Sequence, residues 1–167
     1  MAANTPLTLA DNTILGSFLN TATIEFMFNT GNTTATNVIT QQTTATTGVS
    51  WAIKTVKISM SNYKFSFTGS TNGTTLFNVN STCTLGKNAW HHVAITFNAG
   101  NVTIYCNGTA SGTGTVGTAG QARLFDTTAA MSIGGSVAFK IDELRISQGL
   151  RYTVNFTPPT AFFSTAD

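Results

Sequence analysis

The chain has 167 residues, a formal net charge of +2, 41% hydrophobic residues and only 8% charged ones. That length fits one domain with a proper core. Lys and Arg are scattered rather than clustered, which argues against a phosphate-tracking surface, and no apolar run is long enough to span a bilayer as a helix.

Thr, Asn, Ser and Gly take the place of charges on the surface. Thr and the aromatics favour strands, Asn and Gly favour turns, and strong helix formers are scarce. The composition therefore predicts an all-β chain. A weakly charged surface also leaves little repulsion between copies, so it suits dense packing in an assembly as well as a glycan-facing surface.

In chain order, residues 1–13 read as an arm or first edge strand with Leu7 and Leu9 alternating, continued by residues 14–18. The start lacks a basic stretch and a continuous apolar core, so no secretory signal is expected. Residues 21–29 alternate strictly, with Ile24, Phe26 and Phe28 on one face and Glu25 and Met27 on the other. Residues 37–40 form a short strand, and residues 41–48 a Thr-rich loop or edge. Val56, Ile58 and Met60 alternate, as do Tyr63, Phe65 and Phe67; residues 75–79 and 81–84 make a further strand.

The strongest local signal spans residues 88–108. Val93, Ile95 and Phe97 share one face, Val102, Ile104 and Cys106 another, and Asn98-Ala99-Gly100-Asn101 between them reads as a hairpin turn. Residues 109–120 are predicted to be a flexible Gly/Thr loop. Residues 122–125 and 130–133 are short strands. Residues 137–146 are the last strong one, with Phe139, Ile141 and Glu143 facing one way and Lys140, Asp142 and Leu144 the other. Residues 147–157 read as containing a helical turn, Pro158-Pro159 ends regular structure, and Phe162 and Phe163 fasten the tail. The domain reading is an arm over 1–20, a sandwich over 21–150 and a tail over 151–167.

Cys106 shares its face with Val102 and Ile104 and so points inward. Without a secretory signal, buried free thiols are the expectation for Cys83 and Cys106; a disulfide is the alternative if their strands pair. The sequons at Asn32, Asn72, Asn80, Asn101, Asn107 and Asn155 are what chance gives in a chain so rich in Asn and Thr.

His91 and His92 are adjacent on a strand, so their rings diverge and cannot chelate one metal together. Asp142 and Glu143 diverge for the same reason. These residues, with Glu25 and Arg145, read as structural, because a carboxylate inside a core strand is held by a buried donor. Trp51, Tyr63 and Tyr152 are candidate glycan-stacking platforms and equally candidate core residues.

Three segments carry a family resemblance. Thr23-Ile24-Glu25-Phe26-Met27-Phe28, then Trp90-His91-His92-Val93-Ala94-Ile95-Thr96 with Val102-Thr103-Ile104-Tyr105-Cys106-Asn107-Gly108, then Met131-Ser132-Ile133-Gly134-Gly135 with Phe139-Lys140-Ile141-Asp142-Glu143-Leu144-Arg145-Ile146 resemble the laminin-G-like jelly rolls of the concanavalin A-like lectin/glucanase superfamily. The resemblance implies a two-sheet antiparallel β-sandwich. Its members bind glycans, bind proteins or hydrolyse β-glucans, so fold alone leaves function open. The glucanase branch carries Glu-x-Asp-x-x-Glu on one strand, and Asp11, Glu25, Asp126, Asp142, Glu143 and Asp167 do not form it, so no enzyme is expected. Related domains use calcium; Asp126, with Asp142 as a partner, is the best seed for such a site, and no cofactor is otherwise expected.

The ending from Arg145 to Pro159 resembles one common in bacteriophage structural proteins. It implies a virion-surface protein: a capsid decoration, cement or head-fibre part, homo-oligomeric and most simply trimeric. It would be assembled in the host cytoplasm, bound to the major capsid protein or other virion proteins, with no nucleic acid and no membrane. The alternative is a lectin or adhesin module that touches host-surface glycan.

Overall fold

The computed structural model describes residues 5–13, 15, 19–120 and 122–160. Twelve strands follow in order: β1 (Leu7–Leu9), β2 (Thr21–Asn29), β3 (Thr36–Gln42), β4 (Val49–Lys57), β5 (Asn62–Ser70), β6 (Leu76–Asn80), β7 (Leu85–Gly86), β8 (His91–Asn98), β9 (Asn101–Cys106), β10 (Thr109–Thr115), β11 (Met131–Ile133) and β12 (Lys140–Gln148). One sheet runs β1-β11-β3-β4-β5-β6, with β7 also paired to β5; the other runs β10-β9-β8-β2-β12. Every pairing is antiparallel. The protein is an all-β sandwich of the jelly-roll, concanavalin A-like kind.

The core lies between the sheets because each sheet turns one alternating row inward. Phe26 and Phe28 from β2 meet Phe65 and Tyr63 from β5 edge-to-face, with ring centroids between 5.2 and 5.9 Å apart for Phe26–Phe65, Phe28–Phe65 and Phe28–Tyr63. Val93, Ile95 and Phe97 of β8 and Val102 and Ile104 of β9 complete it.

Several expectations are corrected. β4 stops at Lys57, and the backbone N–H groups of Ile58 and Ser59 donate to the Asn62 carbonyl, so Ile58 and Met60 sit on an exposed hairpin tip rather than inside. Residues 81–84 are not strand. Residues 109–115 form β10, an edge strand held by the β9 ladder despite its glycines. Residues 122–125 are irregular, although Ala122 and Leu124 are buried. Thr13 and Leu15 are helical, so no strand continues through them, and no helical turn occurs over 147–157. Phe162 and Phe163 lie outside the described residues.

The face assignment along β12 also changes. The register shifts between Asp142 and Arg145, with Glu143 at φ 51° and its N–H donated to Asp142 Oδ1 at 2.9 Å. This β-bulge restarts the alternation one residue late, so Leu144 and Ile146 join Phe139 and Ile141 against the core.

Cys83 and Cys106 are joined in a disulfide across 23 residues of sequence, their Cα atoms 6.4 Å apart. The expectation of free thiols fails because the segment after β6 crosses to β10: the N–H and Oγ1 of Thr82 both donate to the Ser111 carbonyl. That crossing brings the two sulfurs together and closes one side of the sandwich.

Candidate functional site

The outward row of β2 and β8 is not solvated. Residues 149–158 cross it and bury it. Thr23 Oγ1 donates to the Gly149 carbonyl at 2.8 Å and accepts from the Arg151 N–H at 3.0 Å; the Phe156 N–H donates to the Gly108 carbonyl at 2.9 Å. Tyr152 stacks on Phe156, with centroids 3.5 Å apart and planes 6° from parallel, and Phe156 in turn covers His92 and Tyr105.

Beneath this lid lies Glu25, with no exposed surface. Arg145 places Nε and Nη2 each 2.9 Å from Glu25 Oε1, and Arg151 Nε lies 3.3 Å from the same oxygen. The Tyr152 hydroxyl donates to Oε2 at 2.7 Å, and His92 Nε2 lies 3.3 Å from it. Burial by itself raises the Glu25 carboxyl, but the hydrogen bonds from His92, Tyr152 and Arg145 and the Arg145 charge outweigh it and hold the group below its ordinary value. Burial and the Glu25 carboxylate push the Tyr152 hydroxyl up. A carboxylate so enclosed and so fully paired has no access to substrate; it positions the tail.

The other predicted residues are dispersed. Trp51 is buried and its Nε1 donates to Gln41 Oε1 at 3.2 Å; Tyr63 is fully buried, and desolvation pushes its hydroxyl up. Neither turns a ring face to solvent, and one face of Tyr152 is covered by Phe156. Asp126 is exposed and lies 3.8 Å from Arg123, whereas Asp142 sits on β12 and bonds its neighbour's N–H. Among the described residues no group of three or more His, Cys, Asp or Glu could hold a metal ion.

Among the described residues, the aromatic side chain that does face solvent is Trp90, 46% exposed. Its loop, between β7 and β8, is pinned on every side. The Lys87 N–H donates to the Ser61 carbonyl at 3.0 Å, and the Asn88 N–H to the Thr30 carbonyl at 2.8 Å. Asn88 adopts φ 62° and Asn107 φ 49°, conformations that Asn tolerates. His91 Nε2 lies 2.9 Å from the Gly86 carbonyl, and Asn107 Nδ2 lies 3.3 Å from His91 Nδ1, a pair that assigns the ring proton to Nε2. Asn107 Oδ1 also accepts the His92 N–H at 3.0 Å. Met60, 81% exposed, and Ile58 lie on the adjoining hairpin tip, and Lys57, Lys87, Asn88 and Asn32 are exposed at the same end.

A rigidly mounted indole beside exposed amides and ammonium groups is an arrangement suited to binding, since it offers large apolar area at low entropy cost with polar groups around it. Sequence reasoning assigned Trp90 to the scaffold. Parity takes Trp90 off the inward row of Val93, Ile95 and Phe97 but puts it in step with buried His92, so what exposes it is its place in the loop ahead of β8.

A family profile described as the concanavalin A-like lectin/glucanases superfamily matches residues 2–151. No curated protein is a detectable relative. Among solved structures, the binding domain of botulinum neurotoxin serotype C1 superposes with a TM-score of 0.60 at 16% identity, over 84% of this chain and 36% of that one. This chain thus spans about a third of that domain's length. The native heptameric SAP-like pentraxin from Limulus polyphemus gives 0.57 at 12% identity, over 86% of this chain and 67% of that one. Domain 4 of AbnA, an extracellular arabinanase from Geobacillus stearothermophilus in complex with arabinotriose, gives 0.58 at 16% identity, over 86% and 66%. At these identities the likeness is one of fold. The profile covers nearly the whole sandwich, and the chain belongs to the Laminin_G_3 family of the concanavalin A-like lectin/glucanases superfamily.

Proposed function

We propose that this chain is a non-catalytic carbohydrate-binding module whose platform is Trp90. The carrying observation is the exposed indole on a loop fixed by Lys87, Asn88 and His91 backbone and ring contacts. A sugar ring laid on the indole buries apolar C–H surface while its hydroxyls meet Asn88 and Asn32. The acids support a non-catalytic reading: Glu25 is sealed, Asp126 and Asp142 stand on separate segments, and a glycosidase needs two carboxyls facing one bond. Sugar-bound and ganglioside-dependent relatives of the same fold, the arabinanase domain and a type C neurotoxin, support the reading. Calorimetry with an oligosaccharide panel tests it: Trp90→Ala should abolish binding while leaving the melting temperature within about 1 °C, as expected of a surface change. Retained affinity in that variant sinks the proposal.

A second reading is that the module is displayed on a bacteriophage particle as one copy of a homo-oligomer. The ending from Arg145 to Pro159 motivates it, and so does β1, an edge strand whose Leu7 and Leu9 are 71% and 48% exposed. An exposed apolar edge invites pairing with another chain. Light scattering on the intact chain and on one lacking residues 1–9 checks this: oligomer for the first, monomer for the second. A monomeric intact chain, together with antibodies to it that fail to label intact virions, removes it.

A further inference from the structure

Between Glu25 and Asp126 the chain has no carboxylate side chain, yet Lys54, Lys57, Lys64 and Lys87 all fall there. The fold gathers rather than disperses this imbalance. Lys57 pairs across β4–β5 with Tyr63, Tyr63 pairs with Leu85 of β7, and Lys87 follows two residues later, tied to Ser61. Lys57 and Lys87 are exposed on the segments that flank Trp90, and Lys64, half-buried, pairs with Val56 on β4. None of the acids stands on the segments that carry them. Glu25 is enclosed by Arg145 and Arg151, and Asp142 and Glu143 lie on β12, separated from β8 by β2.

We infer that the Trp90 end selects anionic saccharides: a sugar stacked on the indole, with a carboxylate or sulfate held by Lys57 and Lys87. The inference rests on the carbohydrate-binding reading and names its ligand class. Unpaired ammonium groups beside an apolar platform give charge complementarity without a compensating local acid. An anionic lipid surface is the competing occupant, and the polar Asn88 and Asn32 rim favours the saccharide.

Calorimetry on the full chain separates the outcomes. The probes are 3′-sialyllactose and a hyaluronan hexasaccharide (carboxylated), a heparin octasaccharide (sulfated), lactose and cellohexaose (neutral), and phosphatidylserine vesicles. Carboxylated or sulfated probes should bind at least about tenfold tighter than neutral ones, and raising salt from about 50 to about 500 mM should weaken them alone. Lys57→Gln with Lys87→Gln should remove that preference, Lys57→Arg with Lys87→Arg should keep it, and Arg123→Gln at the opposite end should change nothing. Melting curves confirm that each variant is folded. Neutral sugars bound equally well through Trp90 overturn this inference and leave the module reading intact. No saccharide bound at all overturns both, and vesicle binding alone replaces the ligand class.

Discussion

A carboxylate sealed from water beside guanidinium groups is stable only while its partners are all present. Glu25→Gln keeps the shape but removes the buried charge that Arg145 and Arg151 share, so urea unfolding should show a loss of about 3 kcal/mol. The same group sets an acid limit. Its folded value lies below the ordinary 4.5, so the unfolded chain takes up the proton first. The stabilisation is complete above about pH 4.5 and is lost as pH falls through the folded value, whereas the Gln variant should show a flatter acid limb in melts between pH 6 and pH 3. Tyr152→Phe removes one charged hydrogen bond and should cost about 1.5 kcal/mol, measured the same way. At this scale the sequence showed that Glu25 must be paired, because it interrupts a strand of core residues. It did not show with whom, since Arg145 and Tyr152 stand more than a hundred positions away and only the tail's path joins them.

Among the elements, the long alternating runs were legible: residues 21–29 and the hairpin of β8 and β9 form where period-two patterning places them. β10 was not, because Gly112 and Gly114 read as loop; in the fold a Cβ at Gly112 would meet the Asn80 carbonyl, and one at Gly114 would meet Val79. Those glycines let the edge of one sheet approach β6 of the other, which hides a strand from propensity. The faces of β12 were misread for a related reason, since a one-residue bulge is invisible to parity and reverses everything after it. The same neighbourhood holds the disulfide. Removing a crosslink over 23 residues, in a Cys83→Ser and Cys106→Ser double variant, should lower stability by roughly 3 kcal/mol on the chain-entropy account; thiol titration of the native and denatured wild type should find no free sulfhydryl without reductant. Gly108 is the other sensitive point: at φ 78° and with the Phe156 carbonyl where its Cβ would go, Gly108→Ala should lift the tail and raise hydrogen exchange at the Phe156 amide.

For the whole molecule, sequence composition identified the fold class because scarce helix formers, abundant Thr and frequent turn residues leave few alternatives. It could not separate the two faces of the sandwich. One sheet's outer side is taken by the chain's own tail, and among the described residues the exposed aromatic surface is left at one end, where the Trp90 loop meets the β4–β5 tip. Binding there leaves the core undisturbed, so ligand should raise the melting temperature only by mass action, in step with its concentration over Kd.

The crossing of residues 149–158 over β2 also dictates an order of events. β2 (Thr21–Asn29) is made well before its edge partner β12 and before three of the groups that hold Glu25, namely Arg145, Arg151 and Tyr152. Until those residues have left the ribosome, Glu25 waits as a solvated carboxylate on an unfinished sheet edge. A nascent copy in that interval presents an open β2 edge to its neighbours on the same message.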